Sequence, residues 1–358
     1  MINVTKTFLP PLEKYIEYLD EIWKTNHITN HGKFVLQLEK ELKYYFNVKH
    51  LFLVNNGTIA LQIALKALQI KGKIITTPFS YVATTSSLVW EGFEPVFADV
   101  DENSFCLDPD KIEEQITPEV KAILATHVYG NPCDVEAIAG IAGKYNLKVL
   151  YDAAHAFGVR YKGNSLLSYG DIATISFHAT KLFHTAEGGA IITNNDELAH
   201  KISYMRNFGH NGPEHFWGIG INGKSSELHA ALGLCILPEV NNLIKRRKEL
   251  SALYDQLILT HGLQKQVIRE ETTYNYSYYP VLFPSESELL SALSSLNANQ
   301  IFPRRYFFPS LNNLNYVVYK IMPISEDIAS RVLCLPLYHD LTEQEVGQIS
   351  GIIKNSIQ

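Results

Sequence analysis

The sequence predicts an α/β protein: a large domain on a mostly parallel mixed sheet, followed by a small α+β domain. Three observations predict it. Short apolar runs alternate with helical patterns along most of the chain, the mark of a parallel sheet covered by helices. The chain has 358 residues, room for about two domains at the usual ~150 residues each. After about residue 237 the alternation stops and a long polar-faced helix begins. We therefore divide the chain into 1–238 and 239–358.

Two amphipathic helices come first. Residues 11–24, PLEKYIEYLDEIWK, form one, and the recurrence of Phe34, Leu38, Leu42 and Tyr45 places the other at about 33–46. LFLV at 51–54 reads as a buried strand, and TIALQIALKALQI at 58–70 as a helix apolar on most faces. Further strands are expected at 73–76, 95–98, 122–126, 148–151, 172–176 and 190–193, with helices between several of them, for example at 80–91 and 134–145. The helix at 239–259 carries KRRK at 245–248, which reads as a solvated face rather than a nucleic-acid patch in a chain of net charge −6. A tyrosine-rich strand follows near 276–283. Ser285 with Glu288, and Thr342 with Glu345, have the spacing of capping boxes and open two more helices, the last at 342–356.

Composition limits the function. With 46% hydrophobic and 19% charged residues, the chain is neither disordered nor fibrous. Its mild net negative charge suits neither duplex DNA nor an anionic membrane, although a local pocket can still oppose that sign for a small anionic substrate. Cys106, Cys133, Cys235 and Cys334 are scattered, with no CxxC pair. They read as buried thiols in a reducing compartment, and no metal site is expected. No leader pattern and no ~18-residue apolar run are seen, so a soluble cytoplasmic protein is expected.

Parallel sheets place their sites at the carboxyl ends of strands. The first such end is VNNGT at 54–58, where Asn56, Gly57 and Thr58 lead into a helix. Free N–H groups there make a phosphate seat, and an ordinary strand-to-helix turn has the same look. The second is YDAAHAFG at 151–158. Asp152 is either a helix cap or a functional acid, and His155 either structural or catalytic. The third is ISFHATKLFHTAEGGAIIT at 175–193, where an irregular stretch with His178, Lys181, His184, Thr185 and Glu187 joins two apolar strands. A lysine held in a partly apolar pocket has a lowered pKa and can form a Schiff base. Lys181, Asp152, the 56–58 turn and Ser176 together are what pyridoxal phosphate requires: an amine for the imine, a carboxylate for the ring nitrogen and a phosphate seat. Tyr81 can stack on the ring or be an ordinary packed aromatic.

Seven segments then carry a resemblance: NNGTIAL (55–61), TTPFSYVAT (76–84), YGNPCDVEAI (129–138), YDAAHAFGV (151–159), SFHATK…EGGAIIT (176–193), GINGKSSELHAALGL (220–234) and LCLPLYHDLT (333–342). In this order they resemble the DegT-type nucleotide-sugar aminotransferases, from about residue 8 to the C-terminus. The resemblance implies the aspartate aminotransferase type I fold and pyridoxal 5'-phosphate as cofactor. It implies that Lys181 forms the imine and shuttles protons, that Asp152 pairs with the ring nitrogen, and that His155 lies near the phenolic oxygen. It puts Tyr81 over the ring, Gly57, Thr58 and Ser176 on the phosphate, and Asn222 on the phosphate of a neighbouring subunit, hence a homodimer. Three positions bear on the likeness. Asn56 stands where a serine is usual, and Lys224 where an arginine is usual. Lys181 itself is kept, which sets aside the dehydratases of the family that carry histidine there.

SFHATK with EGGA resembles the members that aminate C4 of a 4-keto-6-deoxy sugar, rather than those acting on a 3-keto sugar. The opening residues, NNGTIAL and GNPCDVEAI resemble enzymes that make dTDP-4-amino-4,6-dideoxyglucose for surface polysaccharide such as O-antigen, with L-glutamate as donor. The cluster IFPRRYFFP at 301–309 suits a nucleoside diphosphate and reads equally as a packed aromatic strand. Candidate substrate contacts are His178, Lys224, Arg304, Arg305, Tyr306 and Phe307. Two other classes were weighed. A Rossmann module would show GxGxxG after the first strand; NNGTIA at 55–60 lacks it and GIGING at 218–223 follows no expected strand. A cofactor-binding sugar-nucleotide sensor would need an effector segment, and none is seen.

Overall fold

A computed structural model describes residues 1–357. In chain order the elements are β1 (Ile2–Asn3), α1 (Leu12–Thr25), α2 (Lys33–Phe46), β2 (His50–Val54), α3 (Gly57–Ala67), β3 (Lys73–Thr76), α4 (Val82–Trp90), β4 (Glu94–Phe97), α5 (Pro109–Glu113), β5 (Val120–Thr126), α6 (Val135–Tyr145), β6 (Lys148–Asp152), β7 (Arg160–Tyr161), β8 (Asn164–Ser165), β9 (Ile172–Ser176), β10 (Gly189–Thr193), α7 (Asp196–Met205) and α8 (Glu227–Ile236). There follow α9 (Val240–Ile258), β11 (Thr272–Thr273), β12 (Tyr279–Leu282), α10 (Glu286–Ala298), β13 (Ile301–Phe302), α11 (Pro323–Arg331), β14 (Val332–Leu335) and α12 (Glu343–Lys354).

Among the described residues, seven strands form the central sheet in the order β2-β10-β9-β6-β5-β3-β4. Only β10 runs against its neighbours; the other pairs are parallel. Side chains alternate across the pleat. Leu53, Ile75, Ile123, Val149, Ala173 and Ile192 enter the core beneath α2, α6 and α8. Val54, Ile74, Leu124, Leu150, Ile172 and Ile191 enter the core beneath α3 and α7. Burial on both faces is why these strands read as unbroken apolar runs.

The long helix α9 joins two cores: Val240 and Leu243 lie in the first, whereas Leu250, Tyr254 and Ile258 lie in another with β12, β14, α10 and α12. The expected solvated face at 245–248 is corrected in part. Arg247 is buried and donates to the Ser277 carbonyl, 3.0 Å away, because this turn of α9 packs under the segment leading to β12. The capping box at Thr342 and Glu345 is complete. At Ser285 only half forms: the hydroxyl accepts from Glu288 N–H, while the Glu288 carboxylate takes the hydroxyl proton instead of the backbone N–H. Among the described residues no helix is long and apolar enough to cross a membrane.

Candidate active site

Because β2, β3, β5, β6 and β9 all point one way, their carboxyl ends share one edge of the sheet, and a cleft of about 570 Å³ opens there. Asn56, Gly57, Thr58, Tyr81, Asp152, His155, Ser176 and Lys181 all line it, as do His178, Tyr306 and Phe307. The residues up to Lys181 meet because each follows a strand of the same sheet, and Tyr306 and Phe307 join them from the segment after β13.

At one end of the cleft α3 begins. Asn56 is its cap; the side-chain oxygen accepts from Ile59 N–H at 2.8 Å. Asn56, which stands where a serine is usual, thus has its side-chain oxygen engaged in capping the helix. Gly57 and Thr58 N–H open the helix with no carbonyl one turn earlier to meet them. A Cβ on Gly57 would lie 2.9 Å from Ser176 Cβ, so only glycine lets the turn approach Ser176 this closely. The result is an anion seat with a hydroxyl beside it.

Asp152 ends β6 and is buried. Its two oxygens accept from Thr84 Oγ1 at 2.7 Å and Ala154 N–H at 3.1 Å. Burial pushes its carboxyl pKa up, against the pull of those donors and of Lys181. Lys181 sits in the turn after β9, held by its own N–H on the His178 carbonyl at 2.8 Å. Its amine is 3.4 Å from Tyr278 Oη. Burial lowers the ammonium pKa to about 8, with Asp152 opposing. His155 Nδ1 accepts from Tyr129 N–H at 3.2 Å, which leaves the proton on Nε2. Burial and then the Lys181 charge keep this imidazole neutral. Tyr81, 57% exposed, caps α4 at the wall of the cleft.

A model of the DegT/DnrJ/EryC1/StrS aminotransferase family matches residues 12–354. The chain belongs to that family. It is 44% identical to a dTDP-4-amino-4,6-dideoxy-D-glucose transaminase of Shigella dysenteriae, over 99% of this chain and 98% of that one. A transaminase of the same name from Escherichia coli is 40% identical over 98% of both chains. A crystal structure of DesI in the presence of its TDP-sugar product superposes with a TM-score of 0.94 at 28% identity, over 99% of this chain and 92% of that one. This aminotransferase is accordingly a pyridoxal phosphate-dependent enzyme with the fold of those sugar aminotransferases.

The cleft of this family member fits that cofactor. A glycine-shaped anion seat lies at one end. A buried carboxylate with no basic side chain within ion-pair distance among the described residues marks the floor, where a protonated ring nitrogen would complete it. An amine of lowered pKa lines the same cleft.

Other expected contacts lie elsewhere. Asn222 is exposed, and Lys224 donates to Asn207 Oδ1 at 2.9 Å over the Phe208 ring; neither lines this chain's own cleft. Arg304 lines an adjoining cleft of about 800 Å³ that shares Tyr81, Tyr306 and Phe307 with the first. Arg305 lines it too, but its guanidinium is bound by Glu286 and the Ser330 carbonyl and stacked on Phe308. Arg305 thus braces this segment, whereas Arg304 has no ion-pair partner among the described residues. His184 holds the Phe8 carbonyl at 2.7 Å, away from the cleft. Sequence reasoning missed Tyr278, Ser80, Thr84 and Thr126. Ser80 and Thr84 lay in view within TTPFSYVAT, as hydroxyls one helical turn apart. Tyr278 lay in the tyrosine-rich strand expected near 276–283, which was given no part in the site.

Proposed function

We propose that this aminotransferase moves the amino group of L-glutamate to the C4 ketone of a nucleotide-linked 4-keto-6-deoxy sugar. Our reading of the pair is dTDP-4-keto-6-deoxy-D-glucose and dTDP-4-amino-4,6-dideoxy-D-glucose, for a surface polysaccharide such as O-antigen. The observation that carries it is the meeting of Lys181, Asp152 and the α3 anion seat in one cleft that continues past Tyr306 to Arg304. The full-length likeness to two transaminases of that product supports the choice of sugar.

In this reading Gly57, Thr58 and Ser176 would hold the cofactor phosphate, Tyr81 would cover the ring face, Asp152 would keep the ring nitrogen protonated, and His155 Nε2–H would donate a hydrogen bond to the phenolic oxygen. Pyridoxal phosphate, when bound, supplies the electron sink that lets a proton leave the donor's α-carbon. Lys181 Nζ, an amine of lowered pKa, takes that proton and in the second half-reaction delivers one to the sugar's C4. His178, exposed at the cleft rim, and Arg304, Tyr306 and Phe307 at the junction of the two clefts, line the path of the sugar nucleotide.

The active unit is a homodimer in our reading. Phe208, Phe216, Trp217 and Ile221 are exposed on the segment around Asn222, and Ile219 is 90% exposed; an apolar surface of this kind suits a subunit contact. Asn222 and Lys224 would then serve the partner's site. Four free, buried cysteines support a cytoplasmic location.

The test is product analysis with L-glutamate and the 4-keto or the 3-keto sugar nucleotide, by mass and proton coupling constants. We expect a C4 amine from the 4-keto substrate. Amination of the 3-keto isomer alone would overturn the choice of carbon. Lys181→Ala should bind cofactor without a covalent link and lose turnover.

A further inference from the structure

Burial drives a carboxyl group toward its neutral form, and a neutral acid at Asp152 would not pair with a protonated ring nitrogen. Beside Asp152 run three buried hydroxyls from three places in the fold, of which Ser80 and Thr126 also line the cleft. Thr84 Oγ1 is 2.7 Å from Asp152 Oδ2, Ser80 Oγ is 2.7 Å from Thr84 Oγ1, and Thr126 Oγ1 is 3.1 Å from Ser80 Oγ. Thr84 is on α4, Ser80 in the loop before it, and Thr126 at the end of β5.

Proton counting fixes the direction. An ionised carboxylate only accepts, so Thr84 gives its single proton to Asp152. Ser80 must then donate to Thr84, and Thr126 to Ser80. Every O–H dipole in the row therefore points its positive end toward the carboxylate. Each bond polarises the next, and low local dielectric strengthens them all.

We propose that Thr84, Ser80 and Thr126 are positioning residues, a one-way hydroxyl relay that holds Asp152 ionised and aimed into the cleft. The inference rests on the reading of Asp152 as the partner of the cofactor's ring nitrogen. Ala154 N–H serves the other carboxylate oxygen. Lys181, on the segment after β9, is the charged group that acts on Asp152 across the cleft. His155 after β6, Tyr81 before α4 and Tyr278 before β12 line the same cleft. None of these three supplies a direct hydrogen bond to Oδ2, so among the described residues Thr84 is the donor there.

Thr84→Val keeps the shape and removes the donor; Thr84→Ser keeps the donor. In the full-length protein, the Asp152 carboxyl is titrated by carbon NMR with labelled aspartate, and cofactor affinity is read by fluorescence quenching. We expect Thr84→Val to raise the Asp152 midpoint by about one pH unit, weaken cofactor binding about tenfold, and move the acid limb of kcat/KM upward. Thr84→Ser should restore all three, and Ser80→Ala should shift them less in the same direction. A wild-type titration and affinity in Thr84→Val would overturn the relay, as would a failure of Thr84→Ser to rescue. If circular dichroism shows Thr84→Val unfolded, the Asp152 midpoint in Ser80→Ala decides alone: a rise supports the relay and a wild-type midpoint overturns it. Asp152→Asn separates the two readings. Loss of affinity and rate in Asp152→Asn with a silent Thr84→Val overturns only the relay; a silent Asp152→Asn overturns the assignment of Asp152 itself.

Discussion

Lys181 shows how burial turns a common side chain into a reagent. Desolvation penalises its ammonium, Asp152 pulls the other way, and the balance falls at about 8. The amine attacks only when neutral, so its reactivity rises with pH through about 8 rather than through the ordinary lysine range. We predict that cofactor capture by the cofactor-free protein, followed by visible absorption, quickens about tenfold per pH unit below that point and levels off above it. A rate still climbing at about pH 10 would place the amine in solvent. The positions of Lys181 and Asp152 were legible because strand ends are where α/β sites lie. The tautomer of His155 was not. It depends on Tyr129 in a left-handed conformation, φ 56, with its carbonyl tied to Tyr274 Oη at 2.9 Å, and no spacing announces such a turn. Tyr278 was illegible for a similar reason: it lies 97 positions from Lys181, and only the fold joins them.

At the scale of elements, the strands were easiest to read, since each is an apolar run flanked by polar turns; 73–76 and 172–176 match β3 and β9 at both ends. The direction of β10 was not readable, because an apolar run looks the same whichever way it enters the sheet. Nor was the join between α2 and α8. The buried Glu227 carboxylate accepts Phe34 N–H at 2.8 Å and Val35 N–H at 2.9 Å. A Cβ on Gly32 would lie 2.5 Å from the Glu227 carboxyl carbon. This carboxylate caps α2 from the first turn of another helix. Glu227→Ala leaves two buried donors unpaired and should cost about 2 kcal/mol or more. Urea unfolding checks it, and an unchanged midpoint would show that the α2 N-terminus finds other partners.

The whole molecule closes on itself through contacts that lie far apart in sequence. β1 pairs with β13, Ile2 beside Ile301, and α9 runs from one core into the other. Local periodicity cannot report such pairings, which is why the C-terminal part was legible only as a set of elements. The proposed homodimer carries its own prediction. If Asn222 completes the partner's site, Lys181→Ala and Asn222→Ala chains, each impaired alone, should complement when mixed and exchanged. Random pairing restores one site in each mixed dimer, about a quarter of wild-type activity. No recovery, with mixed dimers verified by mass, would mean that each chain builds its site alone.

One measurement tests the central claim most directly. Reducing the cofactor-loaded enzyme with borohydride fixes any imine between protein and cofactor, and peptide mass mapping then finds the modified residue. We predict the added pyridoxyl phosphate mass on Lys181 and on no other lysine. A label on a different lysine, or none at all with cofactor demonstrably bound, would contradict the account.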